Sequence, residues 1–202
     1  MKIQSIQQNY NFHKYSVSKP SFQAKFSVET IAGKNLGASP NGLLGKIQVL
    51  KNTGEEVFLN LFKSKYSKYE IYTLKDNFER EIGRIELTFN KYDQWKTEGD
   101  EDHVFVSELR NFSDSKTPYY VDGLDEYKHV GTRLLQLALK RSYEENCNGN
   151  IELVAKNRKE VLEFYRRLGF EQPANITKFG NPFRLHLADE AKDLLAMKYG
   201  GL

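Results

Sequence analysis

The chain has 202 residues, 39% of them hydrophobic and 28% charged, with a formal net charge of +3. That leaves room for one sizeable core or two small ones, at the composition of an ordinary globular protein. Residues 1–30 hold Lys2, Lys14, Lys19 and Lys25 against Glu29 alone, so the body from residue 31 on balances 26 bases with 26 acids, and no basic domain for nucleic acid is expected.

No apolar run reaches the length of a membrane span, and no apolar core of a secretory signal follows Lys2. The lone Cys147 makes neither an intrachain disulfide nor a metal cluster. The expectation is a cytoplasmic protein with no metal and no membrane partner; a homo-oligomer stays open.

Residues 1–30 are rich in Gln, Asn, Ser, Tyr and Lys without an apolar period, and read as a loose arm. "IAGKNLGASPNG" is a loop. "LLGKIQVLKN", "EVFLNLF", "SKYEIYTL" and "IGRIELTF" are strand-like segments joined by short turns, as in an antiparallel meander. In the third of these, Tyr69, Ile71 and Thr73 share a side. The acidic stretch "TEGDED" closes this half.

The second half changes character. "HVFVSEL" is a short apolar strand, and the polar stretch "RNFSDSKTPYYVDGLD" after it is long enough to suggest a functional loop. Val130, Leu134, Leu135 and Ala138 recur at helical spacing, with Leu137 widening the stripe. Asn146 ends this helix, since Asn tolerates a left-handed C-terminus. "GNIELVA" is a strand. "NRKEVLEFYRRLGF" is a helix with Asn157 as N-cap and Glu160 three residues on, a stripe of Val161, Phe164, Tyr165 and Leu168, and a stop at Gly169. "PFRLHLA" is a last strand and "DEAKDLLAMKY" a last helix.

Gly131 sits at the mouth of the first helix, between Lys128 and Arg133. A helix start carries unpaired N–H groups and partial positive charge, and a glycine lets an anion approach the backbone. The same glycine equally permits close helix packing. The pattern suits a phosphate or pyrophosphate.

"HVGTRLLQLAL" followed by "FYRRLGF" resembles the GNAT superfamily of acyl-CoA N-acyltransferases, over about residues 103–187. The resemblance implies an α/β (α+β) fold: a mixed, mostly antiparallel sheet flanked by helices, with the meander as its N-terminal half. Residues 31–202 would form the single domain behind the arm. It also implies acetyl-CoA as cosubstrate, its pyrophosphate held by backbone N–H groups of the loop and helix start. Those residues are Lys128, His129, Val130, Gly131, Thr132 and Arg133. Aligned on "G-T-x-L-L", Gly131 takes the second glycine of the family signature, His129 the first, and Glu126 the Gln/Arg position. The alternative register puts Gly131 first, with Lys128 at the basic position and Arg133 where a small residue is usual. The first register keeps the leucines in phase.

Tyr165 matches the family tyrosine that protonates the departing thiolate. A phenol suits that task, because it can give a proton yet stays neutral at pH 7. The family asparagine falls on Arg158, with Asn157 one earlier; Asn157 is assigned to the cofactor or to the helix cap. The resemblance also implies two parallel strands, about 103–109 and 150–155, that splay to admit the pantetheine. Glu108 near the end of the first fits a catalytic base, with His103 as runner-up.

The family usually places two helices between its first two strands, whereas this chain reads as continuous strands there. The acceptor site would then be shaped by the meander and by the long loop, where Tyr119, Tyr120, Asp114, Asp122 and Asp125 could attract a cationic amine or simply be solvated. The expected function is transfer of an acetyl group to a primary amine, small molecule or peptide, by direct attack in a ternary complex. The alternative is a catalytically degenerate module that binds coenzyme A or a protein partner without turnover.

Overall fold

The computed structural model describes residues 31, 33–89, 102–172 and 183–197. The arm 1–30 and most of "TEGDED" lie outside the described residues. The elements run β1 (Gly42–Lys51), β2 (Glu56–Lys65), β3 (Tyr69–Lys75), β4 (Glu81–Phe89), β5 (Val104–Asn111), β6 (Tyr127–Lys128), α1 (Val130–Glu144), β7 (Ile151–Val154), α2 (Lys159–Arg167), β8 (Phe170–Glu171), β9 (Arg184–Leu187) and α3 (Asp189–Met197).

The strands form one sheet in the order β6-β1-β2-β3-β4-β5-β7-β9-β8. Every neighbouring pair is antiparallel except β5 and β7, which run parallel. This is the expected α/β architecture, a mixed and mostly antiparallel sheet flanked by helices. No helix interrupts the described residues between β1 and β5, as the continuous strand pattern suggested.

Alternation along the meander sets the core. Leu59 and Leu61 of β2, Tyr72 and Leu74 of β3, and Ile85 and Leu87 of β4 point to one face and are fully or almost fully buried. Tyr69, Ile71 and Thr73 do share a face, but it is the half-exposed one.

α1 packs on the buried face. On β4, Gly83 makes room for it: a Cβ there would meet Val130 Cγ1 at 2.5 Å and Leu134 Cδ1 at 3.2 Å. The stripe Val130, Leu134, Leu135, Leu137 and Ala138 is buried, but so are Arg133, Gln136, Leu139, Arg141 and Ser142. Burial extends around the helix because the sheet edge and α3 both cover it. β1 carries Gln48, whose carbonyl accepts from Arg133 Nε at 3.1 Å. α3 carries the Leu195 carbonyl, which accepts from Gln136 Nε2 at 3.1 Å. β6, one residue before the helix, pairs with the end of β1. α1 therefore lies on the sheet with α3 packed beside it, and most of its circumference is buried.

Its C-terminal half carries a buried ion cluster. Arg141, Glu70 and Lys63 have fully buried side chains. Arg141 Nε donates to Glu70 Oε2 at 2.9 Å, Tyr72 Oη donates to the same oxygen at 2.8 Å, and Lys63 Nζ lies 3.4 Å from Glu70 Oε1. Arg141 also pairs with Glu144 and Glu145. Glu144 in turn accepts from the backbone N–H groups of Leu36 and Gly37, at 3.0 and 2.9 Å. Lys63 donates to the carbonyls of Leu36, Gly37 and Ser39. The loop before β1 is thus clamped from both sides.

Burial alone would push Glu70 up, but the Arg141 guanidinium, the Tyr72 hydroxyl and Lys63 outweigh it and hold the carboxyl below its ordinary value. Glu144 is also held low: burial opposes this, and the Leu36 and Gly37 amides, Lys140 and Arg141 overcome it.

Removing one partner leaves another charge buried and unpaired, so Glu70→Gln is expected to cost about 3–5 kcal/mol in urea unfolding at pH 7. The pH dependence has a definite sign. A carboxyl with a lowered folded pKa stabilises fully above its unfolded value, 4.5, and loses that contribution as pH falls through the folded value. Wild-type stability should drop more steeply below pH 4.5 than that of Glu70→Gln. Equal slopes would mean the pair contributes no linkage.

Candidate active site

The parallel pair defines the site. β5 and β7 are in register over Val104–Val106 and Ile151–Leu153 only. Past Val106 the register of β5 with β4 steps from Val106↔Leu87 to Glu108↔Glu86, so Ser107 opposes no residue of β4. An extra residue of this kind bends its strand and leaves backbone groups off the ladder. Beyond Val154, the Ala155 N–H donates to the Phe183 carbonyl at 2.8 Å, on the side away from β5. The two strands have ceased to pair where Glu108, Arg110 and Lys156 follow.

The loop between β5 and β6 returns to these strand ends. Arg110 Cζ lies 5.0 Å from the centroid of the Tyr119 ring, and Lys156 Nζ lies 4.7 Å from the same centroid. Lys156 also donates to Tyr119 Oη at 2.5 Å. Glu108 forms an ion pair with Arg110. Tyr119 is thus engaged by the chain's own cations.

Tyr165, on α2, has a side chain 8% exposed, edge-on to Phe164 (ring centroids 5.1 Å apart) and Phe170 (5.6 Å). Burial pushes its phenol well above the ordinary value of 10.0, and the proximity of Tyr119 adds to the shift. It stays a proton donor throughout the physiological range.

The mouth of α1 lies against α2. A Cβ on Gly131 would come 3.1 Å from Phe164 Cζ, so the glycine permits close packing of the two helices. Among the described residues no side chain caps α1, and its first turn carries no acidic residue. His129, at the N-cap, has φ 68, in the left-handed region that favours glycine. Val130 is buried and Thr132 half-buried in the first turn.

The other expected anion ligands are placed differently. Arg133 is buried, its Nε on the Gln48 carbonyl and its Nη1 on Gln136 Oε1 at 3.0 Å. Lys128 is exposed on β6, its Nζ 3.3 Å from the Asn52 carbonyl. His103 is 1% exposed just before β5 begins, beside Glu152, at the end of the strand away from Glu108. The capping-box expectation is corrected: α2 begins at Lys159, its N-cap is Arg158 in extended conformation, and no side chain makes a cap bond. The Arg158 N–H bonds the Lys156 carbonyl at 2.8 Å, a tight turn that shifts the start of the helix past Asn157. Asn157 itself is exposed.

Sequence reasoning missed Arg110 and Lys156. Arg110 could have been found, because it stands two residues after Glu108 on the same side of a strand. Nothing local flags Lys156.

No family model and no curated protein matches the chain. Among solved structures it is similar to a protein of Pyrococcus furiosus described as an acetyl transferase, at 13% identity and TM-score 0.41, over 56% of this chain and 66% of that one. It is similar to an acetyltransferase of the GNAT family from Staphylococcus aureus, at 16% identity and TM-score 0.38, over 58% and 66%. It is also similar to a nourseothricin acetyltransferase, at 15% identity and TM-score 0.37, over 74% and 86%.

The strained N-cap yields a test. A non-glycine residue in the left-handed region costs roughly 1–2 kcal/mol, and glycine returns about 0.5–1 kcal/mol of that as unfolded-state freedom. His129→Gly should therefore raise stability by about 0.5–1 kcal/mol, read as a higher Tm. A lower Tm would mean that the imidazole is worth more than the strain.

Proposed function

We propose that this chain is an acetyl-CoA-dependent N-acyltransferase acting on a primary amine. The observation that carries the reading is the opening between β5 and β7, with a bulge in one strand and the uncapped α1 mouth and buried Tyr165 beside it. An extended amide-bearing arm such as pantetheine could pair with the backbone groups that the two strands no longer share. The N–H groups of the first turn, Val130, Gly131 and Thr132, would receive the pyrophosphate. Arg133 is committed to the interior, so the charge there comes from the helix end and from Lys128 nearby.

The chemistry is a direct transfer. The amine nitrogen attacks the thioester carbonyl carbon; the C–N bond forms and the C–S bond breaks. Glu108 takes the proton that the nitrogen loses, and Tyr165 gives its proton to the leaving sulfur. A phenol kept from ionising by burial suits the second role. Glu108 is paired with Arg110 in the free protein, so it must exchange that partner to act as base.

Acetyl-CoA binding, read by calorimetry, is the first test. The second is Tyr165→Phe, which keeps the ring against Phe164 and Phe170 and removes only the hydroxyl. The turnover of thioester should fall about 10²–10⁴-fold with little change in acetyl-CoA affinity. Because the wild-type phenol is shifted up, its rate should show no loss from Tyr165 ionisation as pH rises to 10. Full activity in the variant would leave Tyr165 as packing, and binding without turnover by any amine would favour the degenerate module.

A further inference from the structure

The ends of β5 and β7 carry an arrangement that the transfer reaction does not use. Arg110 and Lys156 come from the two strands on either side of the opening and converge on one aromatic ring, Tyr119. Two cations seldom approach the same small group unless something holds them or something negative is meant to meet them. Here the Tyr119 ring and hydroxyl hold them, at 5.0 Å and 4.7 Å from the centroid. That fixes two long and otherwise flexible side chains in place before any ligand arrives.

Their charges are unevenly matched. Glu108 pairs with Arg110. Lys156 is exposed, and its ammonium meets a neutral hydroxyl; no described carboxylate lies within ion-pair distance of it. Arg110 Nε is buried with no hydrogen-bond acceptor among the described residues, a donor with capacity left on a guanidinium already in use. Glu108 thus answers Arg110 alone, and Glu86, its register partner on β4, pairs with neither cation. Lys156 is the cation at this end of the opening whose charge no described carboxylate meets.

We propose that Arg110 and Lys156 recognise an anionic group on the acceptor, so that the preferred substrate is a primary amine that also carries a carboxylate. The proposal rests on the N-acyltransferase reading and narrows its acceptor class. It also gives Glu108 a route into the reaction. The acceptor's carboxylate competes with Glu108 for Arg110, and the Glu108 released is then free to take the proton from the acceptor's own amine. Tyr119 acts here as a positioning residue: it sets the spacing of the cations and need not touch the reacting atoms. The long loop's contribution to specificity is therefore an aromatic that organises positive charge, instead of the cation-attracting surface its aspartates suggest.

The test uses the full chain, acetyl-CoA and matched amines: glycine against glycinamide, β-alanine against propylamine, and phosphoethanolamine against ethanolamine. Wild type should favour glycine and β-alanine over their uncharged partners by roughly tenfold or more in kcat/KM, as a charge-assisted contact implies. Lys156→Met keeps the stem against Tyr119 and removes the charge; the side chain is exposed, so the fold is not at stake. It should abolish most of that preference through the acceptor's KM, and acetyl-CoA affinity by calorimetry should stay within about twofold. Tyr119→Leu, which leaves both cations but removes their support, should weaken the preference as well.

Four results would overturn the proposal. Wild type could show no preference for carboxylated amines. Lys156→Met could retain the preference. Phosphoethanolamine alone could be preferred, making phosphate the anion read. Lys156→Met could weaken acetyl-CoA but not acetylpantetheine, which lacks the nucleotide phosphates; the cations would then serve the cosubstrate. Failure of the underlying reading looks different: no acetyl-CoA heat and no thioester consumption with any amine of either class.

Discussion

A single extra residue governs the architecture of the site. Ser107 stands outside the register with β4, and an extra residue of this kind bends its strand. Had β5 continued straight, its parallel pairing with β7 could have run on past Val106, and the sheet would have been closed where it now opens. A parallel pair usually satisfies its backbone groups along its whole length and is buried on both faces. This one is cut to three residues, and β7 turns its remaining backbone toward the chain at Phe183. The convergence of Arg110 and Lys156 on Tyr119 lies where the two strands have parted.

An opening in a sheet is a weakness unless the elements around it are held elsewhere. α1 shows how. At its C-terminal half, Arg141, Glu144, Glu70 and Lys63 form a buried network that also ties down Leu36 and Gly37. Buried ion clusters are expensive to desolvate and are poor evidence of net stability, but they tolerate few alternative arrangements. A shift of α1 by one turn would strand several charges at once. The helix is therefore held in register from its far end, while the near end, with a left-handed His129 and no side-chain cap, is left with backbone donors to offer.

Much of this was legible in the sequence and some was not, for identifiable reasons. The strands of the meander were visible because Leu59, Leu61, Leu74, Ile85 and Leu87 alternate with neighbours that are mostly half-exposed. The ends of both main helices were visible because Asn146 and Gly169 adopt the left-handed conformations their residue types favour, φ 60 and φ 87. Pattern alone could not reveal that Glu70 and Lys63 occupy core positions, because charged side chains at those places read as solvent-facing; Arg141, which pairs with Glu70, lies 71 residues from it. Arg133 misled for the same reason. It looks like a ligand for an anion, yet its partner is a carbonyl on β1, 85 residues earlier. Asn157 misled more locally: a good cap residue was present, but the turn between Lys156 and Arg158 moved the helix start beyond it.

The same contrast explains why Tyr119 escaped notice as a structural residue. A tyrosine in a polar loop with aspartates nearby suggests an exposed ring that would attract a positive ligand. What decides its role is the strand geometry on either side of the opening, which delivers Arg110 and Lys156 to its two approaches. The ring's electron-rich face is then already occupied, and the surface the loop presents is set by the cations it gathers. Charge counted along the chain gives a neutral body. Where β5 and β7 part, Lys156 meets only a neutral hydroxyl beside the candidate base, and that local arrangement is the one an approaching acceptor would meet.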